Sequence, residues 1–229
     1  MVTANQKTQA RLEDPLHLAS RIFTKLYSLW VRATYPFASV GDDLSIHFSC
    51  DLKRTRAHQI ALGNSVYIAK DAWLNVNPEA DNNSPAIVLE DGCVIARRTT
   101  ISARNLVHLE QHVILSPSVL IMDHSHAYED VTKPIDHQGV TEGGRIRIGQ
   151  GTWVGQGAAV VCTKGELTIG RNCVIAANSV VTRSYPDYSV ISGNPARVVQ
   201  QFDEAKGAWV LGSSRSAEAE GAKPVLVRQ

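Results

Sequence analysis

Cysteine is scarce in this chain and shows no pairing pattern. The four cysteines among 229 residues, Cys50, Cys93, Cys162 and Cys173, lie far apart, and no CxxC pair occurs. A disulfide framework and a zinc knuckle both need characteristic cysteine spacings, so neither is predicted. We expect buried free thiols that act as small apolar side chains.

Charge excess and long apolar runs are also missing. The formal net charge is +1, which gives no electrostatic reason to expect nucleic acid as a partner. No run approaches the roughly 20 apolar residues that a membrane-spanning helix needs. Residues 1–15 lack the apolar core of a secretory signal. We therefore expect a cytoplasmic protein with one sizeable core and no nucleic-acid partner.

A repeat of six residues is the main feature that the sequence does contain. Each unit opens with an aliphatic residue, carries Gly, Asn or another small polar residue in its second to fourth places, and has a small residue fifth. The clearest units are Ile148–Trp153, Val154–Ala159, Ile169–Val174 and Ile175–Val180. Earlier units open at Leu62, Ile68, Leu89, Ile95, Ile101, Leu109, Leu115 and Ile121.

The six-residue period predicts an all-β fold. It fits neither a helix nor a simple alternating strand. A short strand followed by a corner would place the first residue of each unit inside, with Gly and Asn at the corner because they accept positive φ at low cost. The small fifth residue, which is Cys93 or Cys173 in two units, would fit a cramped interior position. The pattern therefore predicts a parallel β-helix whose coils bury apolar residues against one another.

One amphipathic helix is predicted before the repeats. Asp14 and Pro15 suit an N-cap and a first helical turn, and Pro36 ends the periodicity, so the helix should run from about residue 15 to 33. Its apolar stripe consists of Leu16, Ala19, Phe23, Leu26 and Trp30. Its other faces carry Arg21, Lys25 and Arg32. The favoured interpretation packs the stripe on the end of the β-helix or on a neighbouring subunit, and the second is peripheral contact with a membrane surface.

Two polar stretches interrupt the repeats and are predicted to leave the coil as loops. The first covers residues 75–85. The second covers 122–145 and contains three of the eight histidines. Long loops in compact domains usually carry function, so the second is the expected location of a site.

The repeats fade after Val181, which sets the expected organisation of the chain. The segment from about Phe202 is expected to be poorly ordered, except near Trp209. The expected divisions are a tail and helix over 1–39, a β-helix domain over 40–200 and a C-terminal tail over 201–229.

Two further motifs give the chain a family resemblance. The unit Trp153-Val154-Gly155 follows the histidine loop, and the repeats close with Gly193-Asn194-Pro195-Ala196-Arg197-Val198. Over about residues 58–200 the chain resembles the bacterial hexapeptide-repeat O-acetyltransferases, which include maltose, galactoside and exopolysaccharide acetyltransferases. The resemblance implies a left-handed parallel β-helix with three hexads per turn. It also implies a homotrimer with acetyl-CoA, the cosubstrate, in a groove between two subunits.

The resemblance assigns cofactor-binding residues position by position. Gln156 and Ala158 would flank the pantetheine arm, and Ala177 would do so from the next coil. Trp153 would form a wall of the groove or pack on the outside of the coil. The nucleotide and its phosphates would meet Thr182, Arg183 and Arg197, because a guanidinium makes paired charge-assisted bonds to phosphate.

His124 is the expected catalytic residue. Acyl transfer from a thioester to a sugar hydroxyl needs a base, and a neutral imidazole suits that role. His124 matches the catalytic histidine of the family, whereas Asp123 and His126 would line the acceptor site. The group that holds the other ring nitrogen is left open among Asp123, Glu129, Asp130 and a backbone carbonyl.

The resulting expectation is acetyl-CoA-dependent O-acetyl transfer to a sugar or polysaccharide precursor, with no bound metal. One alternative is N-acetylation of an amino sugar. Another is a zinc enzyme like the γ-class carbonic anhydrases, whose ligands would come from His108, His112, His124 and His126. The third is a non-catalytic scaffold.

Overall fold

The main body of the protein is a coil of short strands that forms three parallel sheets. The computed structural model describes residues 15–80 and 84–211. Within these residues the chain visits sheets A, B and C in turn, and strands of successive coils pair in parallel, for example Ile95 with Leu115 and Leu115 with Val154. The result is a three-sided parallel β-helix of six coils.

The strands are numbered β1 to β21 in chain order. Sheet A contains β1 Ser39–Val40, β4 Ile60–Leu62, β7 Ile87–Leu89, β10 Leu106–Leu109, β13 Gly143–Ile148 and β16 Lys164–Ile169. Sheet B contains β2 Ser45–Ile46, β5 Tyr67–Ile68, β8 Val94–Ile95, β11 Ile114–Leu115, β14 Trp153–Val154, β17 Val174–Ile175, β19 Ser189–Gly193, β20 Ala196–Asp203 and β21 Ala208–Leu211. Sheet C contains β3 Asp51–Leu52, β6 Trp73–Val76, β9 Thr100–Ala103, β12 Leu120–Met122, β15 Ala159–Val161 and β18 Val180–Val181.

The interior of the coil is filled as the hexads predict. The residues that open the hexads are all buried: Leu62, Ile68, Leu89, Ile95, Ile101, Leu109, Leu115, Ile121, Ile148, Val154, Ile169 and Ile175. Small fifth residues such as Thr152 and Cys173 are buried beside them. All four cysteines are free and buried, and burial raises the pKa of Cys50 to about 11 and that of Cys93 to about 12. The expectation of buried free thiols is confirmed.

Glycine is needed at the corners for two different reasons. At Gly157, in the fourth place of its hexad, φ is +68°, a value that favours glycine. At Gly155, in the second place, a Cβ atom would lie 2.7 Å from the backbone nitrogen of Ala177 in the next coil. Backbone geometry therefore selects glycine at one position, and close packing of coils selects it at the other.

Helix α1 spans Pro15–Thr34 and confirms the predicted helix to within one residue, although its expected N-cap, Asp14, lies outside the described residues. The face that packs on the coil is not the predicted stripe. Ser28 and Val31 are buried against the first coil, and the Ser28 hydroxyl accepts a 2.9 Å hydrogen bond from the N–H of Ile46.

The predicted stripe instead points to solvent, with Phe23, Leu26 and Trp30 between 51% and 64% exposed. Packing of this stripe on the end of the β-helix is therefore a wrong expectation. The free edge of β2 presents backbone polar groups that need a hydrogen-bonding side chain, which an apolar stripe cannot supply.

Both predicted loops leave the coil after strands of sheet C. Because β6 continues through Val76, the first loop begins at Asn77. The second lies between Met122 and Gly143, and an antiparallel bridge between His126 and Val140 joins its two arms. Both loops therefore emerge at the same edge of the prism.

The C-terminal segment is ordered further than its sequence predicted. Strands β19, β20 and β21 pair antiparallel, and the ring of Phe202 packs 5.6 Å from that of Trp209. The expected loss of order is wrong for residues 202–208, and the exception expected near Trp209 is confirmed, because the chain continues past the last six-residue unit as antiparallel strands. Residues 212–229, the remainder of the expected tail, lie outside the described part of the chain.

Candidate active site

His124 is the second residue after β12, where the chain leaves sheet C for the second loop. Its imidazole is buried, and its Nδ1 atom is 2.8 Å from Oδ1 of Asp123. On the other side of the ring, Nε2 is 3.3 Å from Nδ2 of Asn77 in the first loop. The imidazole therefore lies between a carboxylate and an amide, at the point where the two loops meet.

Asp123 is the carboxylate partner that the sequence left open. It is fully buried, and its oxygens also accept hydrogen bonds from the backbone N–H groups of Arg104, Asn105 and Leu106, at 2.7, 2.8 and 2.9 Å. These donors and the His124 ring occupy both carboxylate oxygens. The structure thus places Asp123 behind the imidazole and not in the open acceptor site that the resemblance implied.

The hydrogen bonds fix the tautomer of His124. A carboxylate only accepts hydrogen bonds, so Nδ1 carries the hydrogen atom and donates a hydrogen bond to Asp123. The amide nitrogen of Asn77 only donates, so Nε2 accepts with its lone pair. This tautomer directs the lone pair of Nε2 toward Asn77 and the first loop.

Asn77 is a site residue that the sequence did not reveal. It is separated from His124 by 47 positions and lies in the polar run that was expected only to leave the coil. The available signal was positional, because both interruptions follow strands of sheet C and therefore emerge at the same edge.

The turn after β9 holds the two loops together. The guanidinium of Arg104 donates to the carbonyl of Thr141 in the second loop, and its Nη2 is 3.3 Å from Oε2 of Glu79 in the first. Asn105 Nδ2 donates to the carbonyl of Glu142 at 2.8 Å. The two other candidate carboxylates are elsewhere: Asp130 pairs with Lys133, and Glu129 accepts from the N–H of Tyr128.

The second expected acceptor residue, His126, is exposed on the second loop. It follows His124 by two positions, and its backbone bridges to Val140. Its exposed side chain contrasts with the buried carboxylate of Asp123.

Most of the predicted pantetheine residues lie on or beside sheet B. Trp153 is on the outer face of the sheet, half exposed, and its Nε1 donates to the Ser116 hydroxyl at 2.8 Å. Gln156 and Ala177 are exposed at the corner between sheets B and C, on consecutive coils. Ala158 differs, because its methyl group is buried inside the prism and its backbone bonds to Gly155 and Leu120. The structure does not place its side chain on the cofactor side.

The predicted phosphate-binding arginines are brought together by the end of the coil. Arg183 Nε donates to the Tyr185 hydroxyl at 3.2 Å, and that hydroxyl donates to the carbonyl of Ala196 at 2.5 Å. Arg197 Nη1 donates to the same carbonyl at 2.8 Å. Thr182 and both arginines are exposed, so two guanidinium groups face solvent around one buried phenol.

Sheet C separates the catalytic and pantetheine residues within one protomer. His124 is at the corner that follows this sheet, whereas Gln156 and Ala177 are at the corner that precedes it. Thr182 and Arg183 follow β18 and therefore share the edge of His124, two coils further along.

The candidate zinc ligands are also dispersed. His108 lies on sheet A, where its Nε2 is 2.7 Å from Oε1 of Glu90. In residues 15–80 and 84–211, no three His, Cys, Asp or Glu side chains are grouped so that they could hold a metal ion.

Sequence comparison finds relatives that are named as acetyltransferases. A Mycobacterium tuberculosis protein named as an acetyltransferase is 27% identical over 224 residues, which is 93% of this chain and 69% of that protein. The Escherichia coli protein WbbJ, named for O-acetyl transfer in lipopolysaccharide biosynthesis, is 26% identical over 54% of this chain and 64% of its own length. The chain thus spans about two thirds of the length of each. No protein-family model matches the chain.

A solved structure shares the fold of this chain. The N-acyltransferase AntD of Bacillus cereus, in a variant crystallised with dTDP-4-amino-4,6-dideoxyglucose and coenzyme A, superimposes with a TM-score of 0.61. The match has 18% identity and covers 76% of this chain and 88% of AntD. The resemblance to hexapeptide-repeat acyltransferases is confirmed. The left-handed parallel β-helix predicted for this chain is confirmed with it.

Proposed function

We propose that this protein is an acetyl-CoA-dependent acetyltransferase that acts on a hydroxyl group of a sugar or polysaccharide precursor. The observation that carries the proposal is the chain of hydrogen bonds from Asp123 through His124 to Asn77. It directs Nε2 of the imidazole toward the first loop, on a β-helix whose fold the N-acyltransferase AntD shares. The named relatives and the coenzyme A in the AntD structure support the reaction class.

His124 would act first as a general base. As the acceptor oxygen attacks the thioester carbonyl carbon, Nε2 takes the hydroxyl proton and Asp123 stabilises the imidazolium that forms. Collapse of the tetrahedral intermediate breaks the carbon–sulfur bond, and the departing thiolate takes the proton from Nε2. Such assistance contributes roughly 10² to 10⁴ in rate, or about 3–5 kcal/mol.

Asn77 would act as a hydrogen-bond donor to the tetrahedral intermediate once the acceptor binds. Its amide now donates to Nε2, the atom that the acceptor hydroxyl must approach. When the hydroxyl takes that place, the amide N–H is free to donate to the oxyanion of the intermediate, where a fixed donor stabilises the developing charge.

A complete site would need two copies of the chain. The pantetheine residues are separated from His124 of the same protomer by the width of sheet C, so the His124 of one copy would serve the groove of its neighbour. Sheet B also exposes a row of large side chains, Tyr67, Ile114 and Trp153, that a neighbouring copy would cover. We propose the homotrimer on these grounds, with Arg183 and Arg197 binding the coenzyme A phosphates.

The nature of the acceptor has a second candidate. AntD, with its amino-sugar nucleotide, supports N-acetylation, whereas WbbJ is named for O-acetylation. The same imidazole serves both reactions, since each nucleophile loses a proton on acylation. A matched pair of hydroxyl and amino sugar nucleotides separates the candidates.

The proposal is tested by incubating the protein with acetyl-CoA and a panel of nucleotide sugars and oligosaccharides while free thiol release is measured. His124→Ala should lower turnover by roughly 10² to 10⁴ and leave coenzyme A affinity within a few fold. The matched control is His137→Ala, an exposed histidine of the same loop, which should turn over like the wild type. Unchanged turnover in His124→Ala would contradict the assigned base. A wild type with no thermal stabilisation by coenzyme A would instead support a scaffold.

A further inference from the structure

Exposed apolar side chains are concentrated on the outer face of α1. Of the 17 large apolar side chains that are exposed in the described part of the chain, six belong to this one helix. The six, hereafter the outer patch, are Leu18, Ile22, Phe23, Leu26, Leu29 and Trp30. The ring of Phe48, itself exposed, lies 6.5 Å from that of Phe23 and extends the apolar surface onto the first coil.

The outer patch faces away from the prism. Ile22, Leu26 and Leu29 recur at helical spacing on one side of α1, while Ser28 and Val31 on the other side are buried. The buried side packs on β2, the first strand of sheet B. The helix thus covers the N-terminal end of the coil and presents an apolar surface beyond it.

The charges on α1 indicate what covers this surface. The helix contains no Asp or Glu, and Arg21, Lys25 and Arg32 are spaced by four and seven residues, which places them in one line along its flank. Arg32 pairs with Asp42 at 2.6 Å. A second copy of the chain would bring two cationic helices together, whereas an anionic lipid surface attracts them. Leu, Phe and Trp on one face with Lys and Arg beside them are typical of interfacial helices.

We propose that α1 docks on an anionic membrane surface, with the outer patch inserted at the boundary between headgroups and acyl chains. No helix among the described residues is long and apolar enough to cross a membrane, so α1 lies in the plane of the interface. The β-helix then projects away from the membrane. This docking does not depend on the acetyl transfer proposed above, and its test needs no turnover.

Co-sedimentation with vesicles tests the proposal. The full chain should sediment with vesicles of phosphatidylcholine and phosphatidylglycerol, and less with phosphatidylcholine alone. Ile22→Gln with Leu26→Gln should lower partitioning more than about tenfold because two inserted side chains are lost, and glutamine keeps the helix. Lys25→Gln should lower it about fivefold.

The matched control is Val131→Gln with Leu211→Gln, which changes two apolar side chains that are 94% and 83% exposed elsewhere. It should sediment like the wild type, and circular dichroism should show the same helix content in all variants. Failure of the wild type to sediment with anionic vesicles would overturn the proposal, as would equal loss in the control. Light scattering tests the other possible occupant of the outer patch, a second copy of the chain. If the Ile22/Leu26 variant has half the molecular mass of the wild type in solution, and vesicles do not bind the wild type, the outer patch joins copies of the chain.

Discussion

At the scale of single residues, the site depends on two adjacent residues with different roles, His124 and Asp123. His124 directs Nε2 toward Asn77, while Asp123 has both oxygens occupied by backbone N–H groups and the imidazole. Asp123 is therefore a positioning residue, which acts on the reaction only through His124.

Asp123→Asn tests this role. An amide in place of the carboxylate would favour the other imidazole tautomer, with the proton on Nε2, and would remove the base. We expect kcat to fall by roughly 10² to 10⁴ while the KM for the acceptor and the affinity for coenzyme A change little. Glu129→Gln, a carboxylate change in the same loop, is the control and should keep the wild-type kcat. A variant whose KM rises with kcat unchanged would assign Asp123 to acceptor binding instead.

The site was predictable at some positions and not at others. His124 was predictable from its motif, and its carboxylate partner was limited to nearby residues, but only the backbone turn after β9 distinguishes Asp123 from Glu129 and Asp130. Asn77 was missed because it reaches His124 only when the chain has completed two further coils. Ala158 was assigned to the cofactor by position alone, although its place as a small fifth residue predicted an interior side chain.

At the scale of elements, the spacing between coils depends on glycines in the second place of the hexad. Gly155→Ala would put a Cβ atom 2.7 Å from Ala177 N and Ile175 O, both backbone atoms of the next coil. The coils would have to separate, and we expect a loss of about 3 kcal/mol in the free energy of unfolding, measured by urea denaturation.

Gly165→Ala is the comparison for Gly155→Ala. Its Cβ atom would meet nothing within 4 Å, but φ is +71°, so only backbone strain is introduced. The expected loss is about 1 kcal/mol. Equal losses at the two positions would show that close packing between coils is not what selects glycine at Gly155.

Element boundaries followed from periodicity where packing is internal to the coil. Hexad starts became interior positions because each coil buries its aliphatic residues on its neighbours. The orientation of α1 was not predictable from its apolar stripe, because the open edge of β2 needs the Ser28 hydroxyl. The antiparallel end of sheet B was not predictable either, because the six-residue period is a property of parallel coils and the antiparallel strands do not carry it.

At the scale of the whole molecule, the separation of the site residues onto different corners predicts complementation between inactive variants. A trimer that combines His124→Ala subunits with Gln156→Glu/Ala177→Glu subunits can contain sites in which an intact histidine meets an intact cofactor groove, because Gln156 and Ala177 lie at the corner opposite that of His124. When the two variants are co-expressed in equal amounts and assemble at random, about a quarter of the sites should have both an intact histidine and an intact groove. The activity should therefore be about a quarter of that of the wild type. Mixtures of the purified variants that cannot exchange subunits are the control and should stay inactive. Inactive mixed trimers would mean that each site is built within one protomer.

The hydrogen bond between Ser28 and Ile46 also bears on how copies of this molecule stay apart. The first strand of a β-helix has unpaired backbone groups to which a strand of another molecule can add. If that edge is uncovered, copies of the protein can stack into fibres. The Ser28 hydroxyl of α1 accepts the hydrogen bond from the Ile46 N–H, which an added strand would otherwise use. Ser28, which anchors α1 on the first coil, therefore also protects the molecule against polymerisation.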